Sequence, residues 1–169
     1  MTDIESLYKR YAPDVRRFVL FLSGDTVMAD EITADTFVRA WLAEERIRQP
    51  TVKSYLFAIA RNLYRDLQRR EARHTELDEK MMDTRISAQT RMEQTAEVRA
   101  VLAALQELPE IDRTVLLMRA LDEMPYEEIA AAMEIPVTTA KVKVHRARAK
   151  LMEARNPARE GFMASGERQ

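Results

Sequence analysis

The chain has 169 residues, 46% hydrophobic and 33% charged, and its 27 Lys and Arg nearly balance 28 Asp and Glu for a formal net charge of −1. The absence of cysteine excludes disulfides, thiolate metal sites and a thiol nucleophile, and His74 and His145 lie too far apart in sequence to suggest metal-ligand spacing. No apolar run approaches the ~20 residues a bilayer span needs, and the opening MTDIESLYKRY lacks the layout of a secretion signal, so a cytoplasmic protein with no membrane insertion and no cofactor is expected.

Only three glycines and almost no alternating β-branched runs predict an all-α chain. A first helix is expected over residues 4–22, with Leu7, Tyr11, Val15, Phe18, Val19 and Leu22 as its apolar stripe. Ser23, Gly24 and Asp25 signal a turn. A second helix is expected over 27–44, with Ile32, Phe37, Val38, Trp41 and Leu42 as its apolar content. Pro50 biases Gln49 away from the helical region, and Thr51 or Ser54 can cap a third helix running to about residue 73. Leu56, Ile59, Ala60, Leu63 and Leu67 line its inner face, while Arg61, Asn62, Arg65 and Arg69 share the outer one. From His74 to about Thr95 acids outnumber bases and no period is sustained, which reads either as a connector or as a loosely packed helix of a single domain.

Beyond this stretch Val98, Val101, Leu102, Leu105 and Leu108 form a clean helical stripe. Ile111, Val115, Leu116, Met118 and Leu121 form another after Pro109. PYEEIAAAM is a short helix with proline in its first turn and two acids suited to its dipole. The turn EIP joins it to a basic helix, a helix-turn-helix arrangement. Two small helical domains joined by a flexible linker are expected, each with a core that is marginal alone. Positive charge is concentrated in two places, residues 61–73 and 141–155, and a basic stripe matters more for nucleic acid than net charge does.

In the basic helix, PVTTAKVKVHRARAKL, a step of about 100° per residue puts Ala140, Val144, Ala147 and Leu151 on one narrow stripe. Thr138, Val142, His145 and Arg146 fall on another, away from that core. One reading is a solvated basic helix carrying a stray valine, since lone exposed apolar residues are common. The other is a helix entering a DNA major groove, where Val142 meets a thymine methyl and Arg146 forks onto guanine.

Three stretches together decide between them. ADEITADTFVRAW (residues 29–41), SYLFAIARNLYRDLQRR (54–70) and the segment 104–151 ending in the basic helix follow one another in order. In that order they resemble bacterial RNA polymerase sigma factors of the extracytoplasmic-function (ECF) group, within the sigma-70 family. The resemblance implies region 2 over 1–75, an acidic linker over 76–97, the region 4 helix-turn-helix over 98–155 and a disordered tail over 156–169. It implies core RNA polymerase and promoter DNA as partners, with an anti-sigma factor as regulator. Asp30, Glu31, Asp35 and Arg39 then match the core-polymerase-binding helix. Arg61, Asn62, Arg65, Arg69 and Arg70 match the minus-10 helix, with the loop 45–52 shaping a pocket for a flipped base. Thr138, Thr139, Lys141, Val142, His145 and Arg146 match the minus-35 helix. This sequence departs from the family pattern at Ala34, where glutamine is usual, and at Glu134 and Thr138, where glycine is usual. Val142 stands where small polar residues are frequent.

A stand-alone helix-turn-helix regulator is the rival class, but it has no need for the outward arginines and Asn62 of the third helix. An enzyme is a third class. No Ser/His/Asp set, glycine-rich phosphate loop or metal cluster supports it, and Glu127 and Glu128 are neighbours that diverge on a helix.

Overall fold

The computed structural model describes residues 4–43, 51–77 and 86–155, and these form helices connected by short turns. In chain order the helices are α1 (Ile4–Ser23), α2 (Thr26–Leu42), α3 (Val52–Leu77), α4 (Ala88–Glu93), α5 (Ala96–Gln106), α6 (Glu110–Asp122), α7 (Tyr126–Met133) and α8 (Val137–Arg155). The loop expected to shape a base pocket lies mostly outside the described residues, as does the tail expected to be disordered.

Local chemistry sets the boundaries. Gly24 takes a φ of 70° after α1, a left-handed geometry that costs glycine little. Asp25 then caps α2, its Oδ1 accepting from the N–H groups of Val27 at 2.9 Å and Met28 at 3.2 Å. Of the two candidates to cap α3, Thr51 serves, with its Oγ1 accepting from Ser54 N at 3.1 Å. Ser87 and Thr95 cap α4 and α5 in the same way. These caps explain why a helix forms in the aperiodic stretch: α4 is too short to show a period, and its boundary is fixed by a hydroxyl.

α1, α2 and α3 form the first unit. Phe18 stacks on Phe57 with ring centroids 4.7 Å apart, and both rings are fully buried. Each contributes roughly 2 kcal/mol by leaving water. α5 to α8 form the second unit around Leu105, Val115, Met118, Ile129, Ala140, Val144 and Ala147. The units are not separate beads on a string, because their apolar residues join in one continuous core. Gln106 donates to the carbonyl of Leu22 at 3.2 Å, and Arg113 donates to the Tyr64 hydroxyl at 3.2 Å. α4 is tied to the first unit, with Thr90 Oγ1 accepting from Thr26 N at 2.9 Å. Two units with marginal cores thus share apolar cover, which a small unit needs.

Candidate nucleic-acid interface

The recognition-type helix α8 is built on small inner residues. Ala140 and Ala147 are fully buried and Val144 nearly so, which lets α8 approach α6 and α7 closely. Thr138, Lys141, Val142, His145 and Arg146 are exposed and Thr139 is half-buried. Val142 is 61% exposed, an apolar side chain standing in solvent between bases as its spacing predicted. The turn before α8 bends at Glu134, whose φ of 56° puts a residue with a Cβ in the left-handed region.

Two residues that sequence reasoning missed organise this surface. Asp112, in the first turn of α6, is 0% exposed and receives Arg146 side-on, Nε to Oδ2 at 3.1 Å and Nη2 to Oδ1 at 3.1 Å. Lys143 Nζ reaches the same Oδ1 at 3.4 Å. Tyr126, at the start of α7, has Arg119 4.7 Å and Lys141 5.8 Å from its ring centroid. The signal for Asp112 was present: it sits three and four residues before Val115 and Leu116, an acid on an apolar stripe.

The second basic surface is on α3. Asn62, Arg69 and Arg70 are exposed and Arg65 is half-buried, with Arg69 3.7 Å from Asp66. Arg61 is different. It is buried, and its Nε and Nη2 donate to the two carboxylate oxygens of Glu110 at 3.0 and 3.1 Å. Arg61, Arg65, Asn62 and Arg69 share one helical face, but Arg61 faces the second unit rather than solvent in this arrangement.

The third surface is the outer face of α2. Asp30, Glu31, Asp35 and Arg39 are all exposed, and Asp30 accepts from Arg16 Nε at 2.6 Å. Of the five residues expected to form this helix's apolar content, Ile32 and Phe37 are buried, beside Met28, Ala29 and Ala40, whereas Val38 is 54%, Trp41 59% and Leu42 76% exposed. Counting apolar residues concealed this, while their angular positions disclose it. Trp41, Val38 and Leu42 project with Asp30, Glu31 and Asp35, an exposed apolar patch mixed with carboxylates.

Between the units lies a small charged network. Asp122, with its side chain fully buried, accepts from Lys53 at 3.0 Å and Arg17 at 3.4 Å through Oδ1, and its Oδ2 has no hydrogen-bond partner. Burial pushes its carboxyl above the ordinary value, against the opposing pull of Lys53 and Arg17. Lys53 is also raised. Desolvation, its largest single influence, lowers it, and the carboxylates of Asp122 and Asp14 together outweigh that.

A helix with a basic outer face followed by a basic helix-turn-helix is the layout of a promoter-specificity subunit of the sigma-70 kind. Residues 7–74 match the family described as sigma-70 region 2, and residues 98–151 match sigma-70, region 4. The ECF RNA polymerase sigma factor EcfG of Rhodopseudomonas palustris is 33% identical, over 82% of this chain and 77% of its own. The ECF sigma-E factor of Escherichia coli is 32% identical, over 86% and 76%. SigM of Bacillus subtilis is 29% identical over 88% and 92%. Two solved structures share the fold: the sigma factor RpoE of Bartonella quintana in complex with the anti-sigma factor NepR (TM-score 0.79, 22% identity, 91% of this chain and 97% of that one) and CnrH in complex with the cytosolic domain of CnrY (TM-score 0.69, 24% identity, 91% and 88%). The chain belongs to the ECF RNA polymerase sigma factors. Among the described residues no helix is long and apolar enough to cross a membrane.

Proposed function

We propose that this sigma factor works in the cytoplasm by binding rather than by catalysis, through three separate faces. Residues 1–75 act as region 2 and 98–155 as region 4, with 76–97 between them as linker. On α2, Asp30, Glu31, Asp35 and Arg39 dock on core RNA polymerase, helped by Val38, Trp41 and Leu42. On α3, Asn62 reads a base edge near the minus-10 element while Arg61, Arg65, Arg69 and Arg70 hold phosphates, which position the duplex without specifying sequence. On α8, Thr138, Thr139, Lys141, Val142, His145 and Arg146 meet the upstream element in the major groove.

The observation that carries this reading is Val142, exposed on the basic outer face of α8 while the inner face is sealed by alanines. A methyl surface there fits a thymine methyl or a sugar edge. The α2 face stands open while Arg61 is held against Glu110, so polymerase docking is available before the α3 face is complete. An anti-sigma factor acts on such a chain by favouring the state with Arg61 covered. The complexes of RpoE with NepR and CnrH with CnrY, proteins of the same fold, support a partner of that kind.

Run-off transcription tests the whole reading. Core polymerase with this chain should start transcripts at promoters where core alone starts none. If no genomic promoter fragment gives such a transcript, the assignment fails.

A further inference from the structure

We propose that Asp112 is a positioning residue that sets sequence specificity: from outside the recognition helix it grips one edge of Arg146 and so determines which edge meets a base. This rests on reading α8 as the upstream-element helix.

A carboxylate with no exposed surface is costly unless its charge is matched and its oxygens are hydrogen-bonded. Asp112 meets both needs with side chains from α8 alone, Arg146 on both oxygens and Lys143 on Oδ1. The geometry is side-on. It uses the Nε–H of Arg146 and one hydrogen of Nη2, and a guanidinium has five donors in a rigid fork. Three N–H groups remain, and two of them, one each from Nη1 and Nη2, form the end edge and point in parallel. That edge can fork onto the O6 and N7 of guanine. The Arg146 side chain is 50% exposed although one edge rests on a buried acid, so part of it stays open to solvent while clamped. An unclamped arginine loses rotamer freedom on reaching a base, whereas this one has already lost it in the free protein.

Lys143 is drawn into the same clamp and its side chain is only 20% exposed. It therefore serves the carboxylate more than the phosphate backbone. Lys141, Val142 and His145 are not held by Asp112, and their contribution to base preference should be independent of it.

The test uses the full chain with core polymerase and promoters randomised across the upstream element, followed by sequencing of those transcribed. If the intact chain starts transcripts but prefers no upstream base, the role of α8 fails and the proposal with it. Given a preference, Asp112→Asn keeps the shape and removes the charge. It should flatten the preference at one position by about tenfold, within the discrimination one bidentate contact gives. Arg146→Lys should flatten the same position, and the double variant no further than Arg146→Lys alone. Unchanged preference in Asp112→Asn, or an equal loss at every position, overturns the proposal. Should that variant fail to fold, the intact chain still decides. The Arg146 Nε–H nuclear magnetic resonance signal should be protected from exchange both free and on DNA, and rapid exchange in either state overturns the clamp.

Discussion

Arg61 and Glu110, on different units and 49 residues apart, form a two-pronged ion pair at 3.0 and 3.1 Å, with the Arg61 side chain only 10% exposed. Glu110 is itself steadied by the Thr114 hydroxyl, which donates to its Oε1 at 3.0 Å. A guanidinium proposed to hold a promoter phosphate is thus satisfied by a carboxylate that occupies it as a phosphate would.

Glu110→Gln should leave Arg61 without its countercharge and loosen the contact between the units. Breaking one partner of a largely buried pair costs about 3 kcal/mol, and somewhat less here because Glu110 retains access to water. Small-angle scattering should show a longer free chain, and binding to minus-10 DNA by the free protein should rise several-fold. Unaltered dimensions together with unaltered DNA affinity would contradict this.

The pH response follows from Asp122, faced by Lys53, Arg17 and Asp14. Its carboxyl lies above the ordinary value in the folded chain, so the folded state holds that proton more tightly than the unfolded state. Its contribution to stability is fully present below the unfolded pKa of about 3.9 and is lost as pH rises through the folded value. Acidification from neutrality should therefore stabilise the intact chain relative to Asp122→Asn. Lys53, also raised, contributes stability that persists below the usual lysine value and is lost above its folded one. Melting temperatures of the two proteins across the acid range check the sign. An intact chain that loses stability relative to Asp122→Asn on acidification would refute it.

Trp41→Ala should leave folding nearly unaltered, because the ring is already 59% exposed. The same change should weaken the complex with core polymerase by at least about tenfold, the size expected of an aromatic anchor. Titration of labelled core polymerase measures this. Equal affinity for both proteins would remove α2 from the docking face.

The helix-turn-helix and the exposed valine were legible because α8 packs by small residues at helical spacing, so that periodicity alone separates its faces. The exposed Val38, Trp41 and Leu42 were legible only in angle, since hydrophobicity by itself assigns them to a core. The pairing of Arg61 was not legible at all: charge matching between distant helices leaves no period in the chain. Likewise α4 rests on one capping serine and a hydrogen bond to Thr26, signals too local to outweigh an aperiodic acidic stretch.

Val142→Ser probes the groove face directly. The side chain packs on no core, so stability should change by less than about 0.5 kcal/mol. Promoter selection should lose a thymine preference at one upstream position and keep the others. A profile identical to that of the unaltered chain would leave Val142 with no part in recognition.

Glu134 closes α7 with a left-handed backbone, its N–H donating to Ala131 O at 3.4 Å while Ile135 N donates to Ala130 O at 3.0 Å. This is the geometry of a helix end usually served by glycine. A residue with a Cβ pays about 1 kcal/mol to sit there, and the Glu134 side chain is exposed, so it offsets none of this by burial. Glu134→Gly should therefore raise stability by roughly 1 kcal/mol, reduced by the greater freedom glycine gives the unfolded chain. The angle between α7 and α8 is set by the same backbone conformation, and promoter preference should not move. Denaturant unfolding measures the first effect and selection the second. A destabilised variant would mean that the turn is held by contacts of the glutamate rather than by tolerance of its strain.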